Sequence, residues 1–237
     1  MAAVELAWQQ NADAVEVDIH LTKDKNIVVI HDRKAKRTGG LNKKIENLSL
    51  DELRTLDFGS WKGPEWSGER IPLLSEVLET VPDGKKLFVE VKCGPEIIES
   101  LASLLNQNII PASDIFIMHF NLHTLLKIKM KLPSYKILWL YEFLPFTPIS
   151  YQKRLLMSTL KHKVSKHELH GVNIENIPKF DREFIDLCRQ NNLRVYCWVV
   201  NDVSRAEYLI GSGIDGITTD RPGWLRNELD KISEQDK

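Results

Sequence analysis

From residue 85 onward, short apolar runs alternate with helical patterns, and this constrains the fold more than any other feature. The first run is Leu87 to Val91 in "KKLFVEVKCG", followed by a helical "PEIIESLASLLNQ" with Pro95 suited to its first turn. Then come "DIFIMHF", helical "NLHTLLKIKMK" and "YKILWLYE". Residues 143–168, with Pro145, Pro148 and the basic "KHKVSKH", read as no defined element. Order returns with "GVNIE", "DREFIDLCRQNN", "LRVYCWVV", "DVSRAEYLIGSG", "IDGITTD" and "PGWLRNELDKI", where Asp181 and Asp202 occupy N-cap positions. Strands separated by helices of this length predict βαβ units and a parallel sheet. No GxGxxG or GxxxxGK[ST] marks a nucleotide-binding doubly wound sheet, which leaves an α/β fold of the (β/α)₈ barrel type.

The barrel strands are predicted near 14–20, 87–92, 115–119, 136–141, 171–174, 194–199 and 215–219, one short of eight, and the chain opens on the helical "MAAVELAWQQN". A barrel without its first strand has an unpaired edge, so the count predicts a stretch upstream of Met1. Residues 32–72 interrupt the alternation with a polar, Gly- and Trp-containing segment too long for a structureless loop. They predict a small insertion subdomain after the second strand, with a helix at "SLDELRTL" begun by a Ser49–Glu52 capping box. The domain expectation is thus a single barrel domain over 1–237.

Charge narrows the partners. A net charge of −1 across 237 residues gives no footprint for nucleic acid or an anionic membrane surface. No run of 18 apolar residues occurs, so no integral membrane segment is expected. Three scattered cysteines read as reduced thiols of a cytoplasmic protein. The sequence carries no signal for oligomeric state.

The chemistry concentrates in "AVEVDIHLTKDKNIVVIHD" (14–32). Strand period places Val15, Val17, Ile19 and Leu21 on one face and Ala14, Glu16, Asp18 and His20 on the other. One reading is a sheet with one wet face. In a parallel barrel neither face meets water, and inward carboxylates then call for a neutralising cation. On the next core strand Phe88, Glu90 and Lys92 share a face. Glu16, Asp18 and Glu90, three oxygen donors without a thiolate, suit a hard ion such as Mg²⁺ or Ca²⁺. Lys92 would favour an anionic substrate, phosphate above all; the alternative is a buried Glu90–Lys92 pair. His31, ending the run "NIVVI" beside Asp32, is either a polar strand end or, near a metal-bound phosphate, a proton donor. Trp198 either packs in the core or walls a pocket. His119, His123, His162, His167 and His170 read as structural or surface residues.

Together, "ADAVEVDIHLTKDKNIVVIHD", "IPLLSEVL", "LFVEVK", "VYCWVVN" and "GIDGITTDRP" resemble, in order and spacing, the glycerophosphodiester phosphodiesterase family. The resemblance implies a TIM barrel and metal-dependent hydrolysis of a small-molecule glycerophosphodiester to glycerol 3-phosphate and an alcohol. It matches Glu16, Asp18 and Glu90 to the family's carboxylate ligands for one divalent cation and His31 to its general acid. It matches Lys92 to a phosphate-contacting lysine and Trp198 to an aromatic position of the substrate pocket. It assigns no ligand role to His20. Family members begin with a strand ending in His-Arg-Gly, which supplies a second histidine and an arginine. The present sequence starts after that position, in agreement with the strand count. Two other readings remain open: a lysophospholipase D-like hydrolase, favoured by an apolar rim at 139–149, and a non-catalytic phosphodiester-binding barrel.

Overall fold

A computed structural model describes residues 1–107, 110–144, 147–160, 169–177 and 180–235. The chain divides into two compact units, residues 1–117 with 127–135, and residues 118–126 with 136–237.

In the first unit, helix α1 (Ala2–Gln9) leads into strand β1 (Ala14–Leu21), which turns back through β2 (Ile27–Val29). The turn is built by Thr22, whose Oγ1 donates to Asp24 Oδ1 at 2.6 Å and accepts from the Asn26 backbone N at 2.9 Å. Lys25 there adopts a left-handed φ of 67°. β1 pairs antiparallel with β2 and parallel with β3 (Lys86–Val91), placing Glu16 opposite Phe88 and Asp18 opposite Glu90. Val15, Val17, Ile19, Leu21, Leu87, Val89 and Val91 are all buried, as the period-two pattern predicts.

Residues 32–72 pack against β2 and the residue that follows it, Ile30, in one shared core. Val28, Ile30, Ala35, Ile45, Leu48, Leu53 and Ile71 cluster there, with Phe58 packed against them. The segment holds the short helices α2 (Lys36–Gly39) and α3 (Leu50–Arg54). The expected capping box is present: Glu52 N donates to Ser49 Oγ at 3.2 Å and Ser49 N to Glu52 Oε2 at 2.8 Å. Helix α4 (Leu74–Leu78) leads on toward β3, and α5 (Ile98–Asn106) follows it. Strand β4 (Ile115–His119) and helix α6 (Leu122–Lys131) each contribute residues to both units.

The second unit continues with β5 (Lys136–Tyr141), helix α7 (Ile149–Thr159) and β6 (Gly171–Glu175). Then come α8 (Arg182–Gln190), β7 (Arg194–Trp198), α9 (Val203–Gly211), β8 (Gly216–Ile217) and α10 (Pro222–Gln235). β5 through β8 pair in parallel in chain order, with Asn173 opposite Tyr196 and Glu175 opposite Trp198. Gly171 is required by that pairing, since a Cβ there would lie 2.0 Å from the Arg194 carbonyl oxygen. Asp181 and Asp202 cap α8 and α9 by accepting from Phe184 N and Arg205 N at 3.2 and 2.8 Å.

Every predicted barrel strand forms. α7 is an element where the sequence predicted none. Its buried residues are Gln152 and Leu156 only, so the helix carries almost no apolar stripe to read. Gln152 instead ties it down by donating to the Leu144 and Thr147 carbonyls, each at 2.9 Å. Pro145 and the segment "KHKVSKH", with His162 and His167, lie outside the described residues. No helix among the described residues is long and apolar enough to cross a membrane.

Candidate functional site

Parallel pairing of β1 with β3 turns two separate alternations into one cluster. Ligand oxygens of Glu16, Asp18 and Glu90 all lie within 4.8 Å of one another. Lys92, just beyond β3, is held in place by its backbone N donating to the Ile19 carbonyl at 3.0 Å. Its Nζ lies 3.1 Å from Asp18 Oδ1 and 2.5 Å from Glu90 Oε1. One ammonium therefore faces three carboxylates. Glu16 Oε1 is buried and accepts no hydrogen bond.

The electrostatics follow from that imbalance. Burial pushes the Glu16 carboxyl well above its ordinary range, the charges of Asp18 and Glu90 add to it, and Lys92 offsets only part. Burial likewise raises Glu90, against the pull of Lys92. Burial works against the Lys92 ammonium, yet Glu90 and Asp18 outweigh it and its proton is held more tightly than usual. A hard, oxygen-rich donor set short of positive charge, with one buried oxygen left unsatisfied, is what a divalent cation would complete. The residues present fit such an ion.

His31 is brought to this cluster by the hairpin. The Ile30 N donates to the Asp18 carbonyl at 2.9 Å, so the residue after it emerges beside β1, and a charge on its ring acts on Glu90. The ring is 65% exposed. Its Nδ1 lies 3.0 Å from Asp32 Oδ1. Arg37 grips the same carboxylate with Nε on Oδ2 at 2.7 Å and Nη2 on Oδ1 at 2.8 Å. This fork holds the Asp32 carboxyl down at about 2. His20 is buried, with Nε2 3.4 Å from the His31 carbonyl oxygen, and burial lowers its pKa.

Five of the six predicted site residues, Glu16, Asp18, Glu90, Lys92 and His31, thus belong to the first unit. Trp198 belongs to the second, at the end of β7. Its indole N–H reaches toward the Asn173 carbonyl at 3.4 Å, and its ring stands edge-on to Phe120 at 6.0 Å. Of the remaining histidines, His119 accepts from Asn121 N at 2.8 Å and His170 from Ile137 N at 3.1 Å, both structural contacts. Sequence reasoning passed over Arg37. The one available signal was a carboxylate directly after His31, which invites a cation from the segment that follows.

Residues 1–224 match the model of the glycerophosphoryl diester phosphodiesterase family. A glycerophosphodiester phosphodiesterase of Caldanaerobacter subterraneus is 32% identical over 236 residues, covering 98% of this chain and 91% of that protein. A human lysophospholipase D is 27% identical over 266 residues, covering 98% and 82%. Among solved structures, an Oleispira antarctica phosphodiesterase in complex with the product sn-glycerol-3-phosphate is 29% identical. It superposes with a TM-score of 0.81 over 97% of this chain and 90% of that one. The fold class is that of a TIM barrel, and the chain belongs to the glycerophosphoryl diester phosphodiesterase family of phosphoric diester hydrolases.

Proposed function

We propose that the chain hydrolyses glycerophosphodiesters to glycerol 3-phosphate and an alcohol, with Glu16, Asp18 and Glu90 holding one divalent cation, Mg²⁺ or Ca²⁺. The observation that carries this is the buried, unsatisfied Glu16 Oε1 beside two further carboxylates. When bound, such an ion supplies Lewis-acid charge to a phosphoryl oxygen. Lys92 supplies the second positive charge for the phosphate, from a position fixed by the β1–β3 ladder. As a water oxygen bonds to phosphorus, releasing its proton to solvent, and the P–O bond to the alcohol breaks, His31 gives its proton to the departing oxygen. Trp198 is assigned to the wall of the substrate pocket. We assign residues 1–237 to one catalytic domain with 32–72 as an insertion, because the family match runs through both units. The three cysteines are free, which supports a reducing, cytoplasmic setting.

The test is release of glycerol 3-phosphate from glycerophosphocholine, before and after chelation, in the protein and in Glu16→Gln. Turnover should need added Mg²⁺ or Ca²⁺, and the variant should lose on the order of 10²-fold or more. Calorimetry should show its cation binding weakened in parallel. Turnover indifferent to both chelator and substitution would refute the metal assignment.

A second reading, hydrolysis of a lysophospholipid at the same site, draws on Leu144, 60% exposed after the half-buried Phe143. Pro145 and Phe146 of that rim lie outside the described residues. Faster turnover of a lyso-lipid than of glycerophosphocholine would favour it.

A further inference from the structure

We propose that Asp32, Arg37 and Trp61 form a positioning chain that fixes the His31 ring with its proton on Nδ1, leaving Nε2 as the nitrogen that exchanges protons with substrate. The proposal rests on the assignment of His31 as the acid, and it explains what the insertion contributes to the site.

An ionised carboxylate only accepts, so the 3.0 Å contact between His31 Nδ1 and Asp32 Oδ1 requires the hydrogen to sit on Nδ1. Asp32 stays ionised because Arg37 grips both of its oxygens. A histidine and an aspartate adjacent in sequence and open to water would not by themselves hold one geometry. The two-pronged Arg37 fork fixes the plane of the carboxylate, and with it the direction from which Nδ1 must approach.

Arg37 is in turn held from its other side. Its guanidinium carbon lies 5.1 Å from the centroid of the Trp61 ring. Trp61 is half exposed, yet its indole N–H donates to the Phe58 carbonyl at 2.9 Å. Phe58 also sets α2, the helix carrying Arg37: a Cβ on Gly39 would lie 2.9 Å from the Phe58 ring, so the two pack at glycine distance. One residue of the insertion core therefore places both the arginine and the tryptophan. The loop bearing Trp61 is closed by Asp57, whose carboxylate accepts from the Gly59, Ser60 and Gly68 backbone N–H groups at 2.8, 3.0 and 2.9 Å.

The chemical consequence is definite. In the protonated ring Nδ1–H is committed to Asp32, so the proton passed to the leaving alkoxide oxygen comes from Nε2. The ring is then neutral and already in the tautomer that can be reprotonated at the same nitrogen. Asp32, Arg37 and Trp61 act through His31 and are positioning residues.

Imidazole ¹⁵N spectra of the full chain, with the rings neutral and the His31 signals assigned by their loss in His31→Gln, test this directly. The expected spectrum shows a protonated Nδ1 and a bare Nε2. Asp32→Ala should convert it to averaged tautomers, Arg37→Met should shift it the same way by less, and Trp61→Leu by least. All three sites are at least partly open to solvent, so the variants should fold. In turnover, Arg37→Met should lower kcat about 10-fold or more with KM unchanged. An averaged tautomer in the unaltered protein, or one that neither Asp32→Ala nor Arg37→Met disturbs, would overturn the proposal. A fixed Nδ1–H released by both variants, with turnover unharmed in His31→Gln, would uphold the positioning chain and refute the acid assignment alone.

Discussion

Each unit of the chain buries a side-chain oxygen without a hydrogen-bond partner on one of its parallel strands: Glu16 Oε1 in the first, Asn173 Oδ1 in the second. The neighbours differ completely. Glu16 sits with Asp18, Glu90 and a single ammonium. Asn173 has Leu140 and Tyr196 as strand neighbours, and its Nδ2 lies 3.3 Å from Met118 Sδ. An unsatisfied neutral amide costs about 1–3 kcal/mol, which a folded domain can carry. An unsatisfied carboxylate among like charges cannot stay ionised on those terms; it must take up a proton or a cation. The comparison teaches that an orphaned buried atom marks a site only where net charge accompanies it.

The largest effect that could break this contrast is a thermal shift. Saturating a site at 100 times its Kd stabilises the fold by about 2.7 kcal/mol, or roughly 5–10 °C for a chain of this size. Mg²⁺ or Ca²⁺ added to chelated protein should raise Tm by that order, and Asp18→Asn should erase the rise. A full shift surviving in Asp18→Asn would move the cation away from β1.

A smaller effect sharpens the comparison with a carboxylate that is satisfied. Arg37 holds the Asp32 carboxyl down at about 2 against an ordinary 3.8. The stabilisation from that pair is therefore present above pH 3.8 and lost as pH falls toward 2. Glu16 and Glu90 run the other way in cation-free protein. Their raised values mean a contribution fully present below 4.5 and lost as pH rises through their folded pKa. Asp32→Asn should flatten the acid limb of a plot of Tm against pH between about 4 and 2. An unchanged limb would mean the Arg37 fork does not hold in solution.

What the sequence made legible follows the same physics. A period of two is local, so Glu16 could be placed on one face with Asp18, and Glu90 on one face with Lys92, from each strand alone, and the barrel expectation turned those faces inward. The register that sets Asp18 opposite Glu90 is a pairing across some 70 residues, and only the fold supplies it. Asp181 and Asp202 were readable as caps because a cap is a contact three residues long. Arg37 was not readable: its reach to Asp32 depends on α2 packing against Phe58, which no spacing in 32–72 announces. α7 was missed for a related reason, since it is anchored by an amide, Gln152, and not by an apolar stripe. Trp198 was legible as a residue near the C-terminal end of a strand, and its edge-on contact with Phe120 was not.

The smallest effect tests the neutral side of the comparison. Asn173→Leu removes the orphaned Oδ1 and the amide contact with Met118 Sδ together, replacing both with an apolar group of similar size. Because donor and acceptor leave at once, no new polar atom is stranded, and the change in stability should stay within about 1 kcal/mol, in either direction. The Trp198 indole bonds the backbone carbonyl of residue 173 and keeps its partner. Chemical denaturation of the cation-free protein reads this directly. A loss of several kcal/mol would mean that the amide is held by a polar partner after all. The second unit would then bury a satisfied polar group, and the contrast with Glu16 would rest on charge alone.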